Sequence, residues 1–259
     1  MSDGTNNTVL RVKDLVKRYK GADKAVLDGV SLNVHRGQTV VVLGPSGCGK
    51  STLLRCIVGL EDIQGGEVTL DGELISGTAR NSALRQRIGM VFQSYDLFPN
   101  KTVLGNVTLA PLIVQGRKKD EVNEQAEQLL RRIGLWDKRD VYPSTLSGGQ
   151  KQRIAIVRAL MTKPEVMLFD EVTAALDPEM VHEVLQVIVE LADQGMTMVV
   201  VTHEMEFARA VADQVILLDA GGVVERSEDP VSFFDKPTTQ RARDFLGTFE
   251  FHRERMSRD

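Results

Sequence analysis

Cysteine is nearly absent from these 259 residues: Cys48 and Cys56 are the only two. Their spacing fits no metal clip or disulfide framework and suits a reducing compartment. Long apolar runs are missing as well. No stretch approaches the roughly 20 residues of a membrane-spanning helix. The first residues, Met1 to Thr8, are polar, so no signal segment is expected. If the protein works at a membrane, other chains must hold it there. Charge of one sign is also lacking. The net charge of −4 argues against a nucleic-acid partner unless a basic footprint is local. No internal repeat or low-complexity block appears, and nothing between Gln93 and Ser147 is long enough for a heptad coiled coil. What remains is ordinary for a globular chain, with 42% hydrophobic and 26% charged residues. Its length allows one large α/β domain or two small ones.

What is present is organised around Gly44-Pro45-Ser46-Gly47-Cys48-Gly49-Lys50-Ser51, which matches the phosphate-loop pattern G-x-x-x-x-G-K-[ST] at every fixed position. Thr39 to Leu43 before it is a β-branched run expected to form a buried parallel strand. Ser51-Thr52-Leu53-Leu54 opens a segment with helical spacing. Strand, glycine loop and helix give backbone N–H groups that converge on phosphate oxygens at the positive end of a helix. Lys50 would reach the β- and γ-phosphates, and the Ser51 hydroxyl would ligate Mg²⁺. The loop would also set Cys48 beside the phosphates, where a thiol reagent should compete with nucleotide. These residues predict a nucleoside triphosphate site.

The rest of the chain supplies candidate partners for that loop. Val9, Val12 and Val16 begin a strand region running to Tyr19, an aromatic that either stacks on an adenine ring or packs at a strand edge. Val30, Leu32 and Val34 alternate, and Asp71-Gly72 predicts a hairpin turn. Ile88 to Phe92 is an apolar strand ending at Gln93. Residues 94–160 then read as a mostly helical insertion, with Val122, Ala126, Leu129, Leu130 and Ile133 in helical register and Gly134 as a stop. The apolar cluster Leu97-Phe98-Pro99 is expected to form the wall of a groove for a partner's helix, or to anchor the insertion. Ser147-Gly148-Gly149-Gln150 precedes a helix with Ile154, Ile156, Val157 and Leu160 inside; it is either a helix cap or an anion-binding turn. Val166 to Phe169 is a buried strand ending in Asp170, a magnesium candidate, and Glu171, a candidate to polarise water. Asp177-Pro178 is expected to cap a helix buried along Val181, Val184, Leu185 and Ile188, closed by Gly195. Met198 to Val201 ends at His203. Three strand ends would thus deliver Lys50, Glu171 and His203 to one carboxyl edge of a parallel sheet, where ligands of open α/β sheets bind; there His203 is read as a γ-phosphate sensor. A last hairpin spans Ile216 to Val224, and a helical tail follows.

Leu146-Ser147-Gly148-Gly149-Gln150, in company with these pieces and in this order, resembles the signature of the ABC ATPases. The resemblance covers nearly the whole chain. It implies a P-loop NTPase core of the α/β class with an antiparallel β subdomain and an inserted α-helical subdomain. The core with its β subdomain would take residues 1–93 and 161–228, the signature subdomain 94–160, and a helical tail 229–259. In that family pattern Tyr19 looks like the adenine-stacking aromatic, and Gln93 like the loop glutamine that senses Mg²⁺ and the transport partner. Asp170 resembles the magnesium aspartate, Glu171 the catalytic glutamate, His203 the switch histidine, and Ala175-Leu176-Asp177 the loop that crosses between subunits. A narrower likeness is to ATPase subunits of bacterial polar amino-acid importers, carried by Gly89–Gln93, Leu97–Pro99, Asn106–Pro111, Tyr142-Pro143 and Thr197–Glu204. Val172 and Ala174 depart from it, since such proteins usually carry Pro and Ser there; neither position contacts phosphate, magnesium or water in the family scheme.

The resemblance implies an ATP- and Mg²⁺-dependent importer subunit at the cytoplasmic face of the inner membrane. Two copies would sandwich two ATP molecules, drive a permease, and serve indirectly an external solute-binding protein, with no nucleic acid involved. A soluble ABC ATPase working on DNA or ribosomes would need a coiled coil, tandem motifs or basic extensions. A phosphoryl-transferring kinase would not need Leu146–Gln150.

Overall fold

Two kinds of strand pattern build two sheets. The computed structural model describes residues 7–76 and 82–249; the ends of the chain expected in the polar start and the helical tail lie partly outside them. β1 (Thr8–Lys17) and β2 (Leu27–His35) alternate apolar and polar residues and pair antiparallel. β3 (Thr39–Leu43) is buried at every position and leads through the phosphate loop into α1 (Lys50–Ile57). β4 (Gly65–Leu70) and β5 (Glu73–Leu74) form the hairpin at Asp71 and Gly72, both with positive φ. The short α2 (Ser82–Arg85) precedes β6 (Ile88–Val91). The insertion then contributes α3 (Val103–Ile113), α4 (Lys119–Arg132) and α5 (Gly148–Leu160). β7 (Val166–Asp170), α6 (Pro178–Asp193), β8 (Thr197–Val201), α7 (Met205–Val211), β9 (Gln214–Asp219) and β10 (Gly222–Ser227) complete the core. α8 (Pro230–Asp235) and α9 (Gln240–Gly247) follow.

The strands form a four-stranded antiparallel sheet, β2-β1-β4-β5, and a six-stranded sheet, β10-β9-β3-β8-β7-β6. In the larger sheet β3 is parallel to both β8 and β9, and β7 to both β6 and β8. A side-chain period of two sorts its residues between two cores. Val41, Leu43, Met167, Phe169, Met198 and Val200 face the helices of the insertion and α6. Val40, Val42, Val166, Leu168, Val199 and Val201 face α1 and the antiparallel sheet. Leu53, Leu54 and Ile57 therefore put α1 between the two sheets. β3, β7 and β8 are buried at every position because helices or a second sheet cover both faces. At the opposite edge from the carboxyl ends, Arg36 and Arg87 both pair with Asp71 and Glu165, tying the β4–β5 turn to the start of β7.

The buried stripe of α6 differs from the expected one. Val184, Val187, Ile188 and Leu191 are buried, while Val181 and Leu185 are only half-buried. Full burial begins at Val184, while Leu185 flanks the stripe and packs against the core from its edge. Asp177 holds the N-cap position of α6, but its side chain caps nothing.

Candidate nucleotide site

The phosphate loop is shaped by what its glycines must avoid. Gly44 has φ 150°, and a Cβ there would lie 2.0 Å from the Leu218 carbonyl oxygen. Gly49 has φ 106°, and its Cβ would meet Leu27 at 2.8 Å and the Val26 carbonyl at 2.9 Å. A side chain at either position would displace backbone. Gly49 also brings no capping side chain to α1, so the first-turn N–H groups stay available to an anion. The cleft above them, about 220 Å³, is lined by Ser46, Gly47, Gly49, Lys50, Ser51, Thr52, Glu171 and Val26. Lys50 is only 4% exposed. Its ammonium donates to Gly44 O at 2.9 Å and Pro45 O at 3.1 Å, and lies 3.4 Å from Glu171 Oε1.

The ends of β7 and β8 close the cleft. Ser51 Oγ donates to Asp170 Oδ1 at 2.6 Å. Asp170 is 2% exposed, and burial pushes its carboxyl above the usual range although the Ser51 hydrogen bond opposes this. Glu171 follows with φ 46°, a left-handed conformation that costs a non-glycine residue about 1 kcal/mol or more. Its own N–H donates to Val201 O at 3.0 Å, which holds this turn against β8. From there the Glu171 carboxylate also meets His203 Nε2 at 2.9 Å. Lys50, Ser51, Asp170, Glu171 and His203 thus form one connected group at the carboxyl edge of three neighbouring strands.

Other sequence candidates lie outside this group. Gln93 is exposed beside a second cleft of about 510 Å³, lined with Arg55, Phe92, Ser94, Asp96 and Ala175. Among the described residues no hydrogen bond joins it to Ser51 or Asp170. Tyr19 is not part of the phosphate cleft; its hydroxyl donates to Glu61 at 3.2 Å, and the Lys17 ammonium sits 4.7 Å from the centre of its ring. It stands two residues beyond Lys17, whose carbonyl accepts from the N–H of cleft-lining Val26. Ser147 and Gln150 form a reciprocal capping box on α5, so the cap geometry is present. Gly148 and Gly149 open α5 and Asp177 precedes α6, and among the described residues no hydrogen bond joins them to this chain's own phosphate loop.

Cys48 requires a correction. Its backbone belongs to the loop, but its side chain is 7% exposed and packs in the core between the two sheets. The thiol does not line the cleft, and burial raises its pKa. A reactive cysteine beside the phosphates is therefore not what the fold provides. Sequence reasoning also missed Val26, Tyr95 and Met180. Tyr95 reaches Ala175 and the α5 N-terminus, and Met180 accepts from the Gly149 N–H through its sulfur at 3.3 Å. No local pattern flags these residues, because their partners are distant in sequence.

The donor set suits a triphosphate with a hard divalent cation. The loop offers N–H groups and a buried ammonium, and the Ser51–Asp170 pair offers two oxygens. Among the described residues no group of three His, Cys, Asp or Glu side chains could hold a metal by itself. Mg²⁺ needs none, since it is commonly held by one or two protein oxygens with phosphates and water.

The ABC transporter family model matches residues 27–174. The chain is 53% identical to the glutamate transport ATP-binding protein GluA of Corynebacterium efficiens, over 89% of this chain and 95% of that protein. It is 51% identical to the arginine transport ATP-binding protein ArtM of Bacillus subtilis, over 92% and 98%. Among solved structures, the dimeric post-hydrolysis state of the ATP-binding cassette MJ0796 bound to ADP and Pi is similar with a TM-score of 0.76 and 35% identity. That likeness covers 85% of this chain and 98% of MJ0796. The cbiO1 subunit of the Clostridium perfringens cbiONQ transporter complex is similar with a TM-score of 0.78 and 29% identity, over 94% of this chain and 97% of cbiO1.

Proposed function

Because the chain belongs to the ABC transporter family of ATP-binding subunits, we propose that it hydrolyses ATP to power an importer of polar amino acids or a related small zwitterion. The observation that carries this reading is the Lys50–Glu171–His203 contact set beside the Ser51–Asp170 pair. Relatives named for glutamate, arginine and L-cystine transport support the cargo class.

The residues divide the work. N–H groups of Ser46 to Thr52 bind the phosphates, and Lys50 exchanges its loop carbonyls for the β- and γ-oxygens. Glu171 orients a water and takes its proton, while His203 fixes the carboxylate and reaches the γ-phosphate. Ser51 and Asp170 would hold Mg²⁺, which neutralises developing phosphate charge, with Gln93 joining once its loop moves inward. Tyr19 stacks on the adenine. Ser147, Gly148, Gly149, Gln150 and Asp177 serve the nucleotide of a second copy, which accounts for their distance from this chain's own loop. Residues 94–160 act as the signature subdomain; of the helical tail expected over 229–259, α8 and α9 are described and the part beyond 249 lies outside the described residues.

No helix among the described residues is long and apolar enough to cross a membrane, so attachment to a permease at the cytoplasmic face of the inner membrane is part of the reading. An extracytoplasmic solute-binding protein would select cargo. Phe98, 44% exposed beside half-buried Leu97, supplies an apolar contact for the permease. In this reading Leu97 packs on the core and anchors the insertion, while Asn106 fixes the Phe98 backbone through bonds of 2.7 and 3.1 Å.

The test is to purify the tagged chain from membranes. Integral membrane subunits should accompany it, and Phe98→Ala should reduce their recovery more than it lowers the melting temperature of the isolated chain. Recovery of ribosomes or DNA in their place would overturn the transport reading.

A further inference from the structure

Three stretches with separate roles in the proposed function meet at one side chain, Tyr95. It lies two residues after Gln93, between β6 and α3. Its hydroxyl donates to Ala175 O, at 3.4 Å, in the loop before α6. The same oxygen stands 2.8 Å from where a Cβ on Gly148 would be, so the phenol packs on the first turn of α5. Leu176 closes that gap from the other side, at 3.0 Å from the same point. The Lys151 ammonium lies 5.9 Å from the ring centre. The loop carrying Tyr95 is also fastened to α5. Gln152 Nε2 donates to Phe92 O at 3.1 Å, and Arg158 donates to Asp96 O at 2.5 Å and to Tyr95 O at 3.5 Å.

We propose that Tyr95 is a positioning residue that couples the Gln93 loop to the half-site this chain offers a partner copy, namely Ser147–Gln150 and Ala175–Asp177. The inference rests on the reading above that those segments face the partner's nucleotide. A phenol has only two side-chain torsions, so it transmits displacement well. If the Gln93 loop shifts as a unit, the ring either carries the Ala175 carbonyl with it or breaks that bond and opens a gap beside Gly148. Both outcomes change the surface presented to the partner, while the Lys50 side of the site stays untouched. Tyr95 therefore acts on dimer closure and not on nucleotide capture.

Tyr95→Phe removes the hydroxyl and keeps the ring; Tyr95→Ala removes both. Each is made in the full chain and again in a Glu171→Gln background. ATP affinity of the monomer, ATP-driven dimerisation by sedimentation, and melting temperature are measured for all. The expected result is unchanged ATP affinity, dimerisation weakened about threefold to tenfold by Phe, the scale of one neutral hydrogen bond, and a larger loss with Ala. Melting of the Phe variant should match the parent. Dimerisation equal to the parent in both variants, or losses that merely follow melting temperature, would overturn the role of Tyr95. Ser147→Arg is run alongside. If it leaves dimerisation intact, or if the parent forms no ATP-dependent dimer, the sandwich reading fails and takes this inference with it. If it abolishes dimerisation while the Tyr95 variants behave as the parent, only the inference fails.

Discussion

His203 Nε2 stands 2.9 Å from Glu171 Oε1, and that same oxygen lies 3.4 Å from Lys50 Nζ. A carboxylate oxygen accepts hydrogen bonds, so His203 Nε2 is the donor of this contact. One oxygen thus links a residue after β8 to the buried lysine at the start of α1. In the proposed function the incoming phosphates would draw Lys50 away from Glu171 and free that carboxylate oxygen for water.

Glu171→Gln should keep the hydrogen bond to His203 and lose the proton acceptor. Turnover is expected to fall roughly 10²–10⁴-fold, the usual effect of a positioned base. ATP affinity should hold or rise, because a negative charge beside the phosphates and Lys50 is gone, and an ATP-bound dimer should accumulate. Single-turnover kinetics with an ATP titration separate the two effects. Turnover near that of the parent would remove Glu171 from the role of base.

Asp170 makes a prediction whose sign follows from its burial. Its folded carboxyl stands above the usual range, so its protonated form is favoured on folding. That contribution to stability is present at low pH and is lost as pH rises through the folded value. Asp170→Asn should escape the loss and melt higher than the parent near neutral pH without nucleotide, by about 2–4 °C for each kcal/mol in a chain of this size. The gap should narrow as the pH is lowered through the carboxylate range. With ATP and Mg²⁺ the order should reverse if Asp170 holds the cation as proposed, since only the parent keeps an anionic ligand there. Calorimetry across pH with and without Mg-ATP checks this. A parent-to-variant gap that does not change with pH would remove the burial argument.

Cys48 should react slowly with a bulky thiol reagent, and equally slowly with ATP present. Burial raises its thiol pKa and pushes that of Cys56 up to about 11, so little of the reactive thiolate exists at neutral pH. Both cysteines should label at once on unfolding. Rapid labelling of native Cys48 that ATP suppresses would mean that the thiol faces the cleft after all.

The contrast between Lys50 and Cys48, two residues apart, shows what the chain reveals by itself. The loop pattern identifies the backbone path, since Gly44 and Gly49 are demanded by a carbonyl of β9 and by Val26 close above them. It does not tell which way a non-glycine side chain of the loop turns. The core strands were legible because a sheet covered on both faces selects unbroken β-branched runs, and their ends located Asp170, Glu171 and His203. The α6 stripe was less legible, because periodicity gives the apolar face but not where along the helix packing starts. Tyr95, Met180 and Val26 act through contacts far apart in sequence, to which no local period responds.

Whether the two halves of a site come from different copies is decided by distributing two lesions. Within one chain Ser147 is engaged in capping α5, and among the described residues no hydrogen bond or ion pair joins the signature to Lys50. In the proposed function both touch one triphosphate. A heterodimer with Lys50→Ala on one copy and Ser147→Arg on the other places both lesions in a single sandwich site and leaves the second site whole. A copy carrying both changes, paired with an unaltered copy, places one lesion in each site. The first arrangement should therefore retain up to about half of the parent ATPase activity if the sites fire independently, and the second very little. A site formed within one chain predicts the opposite ranking, because the unaltered copy would then work alone. The two differently tagged heterodimers, purified and assayed at equal ATP, separate the cases, and higher activity in the doubly substituted pairing would rule out the sandwich.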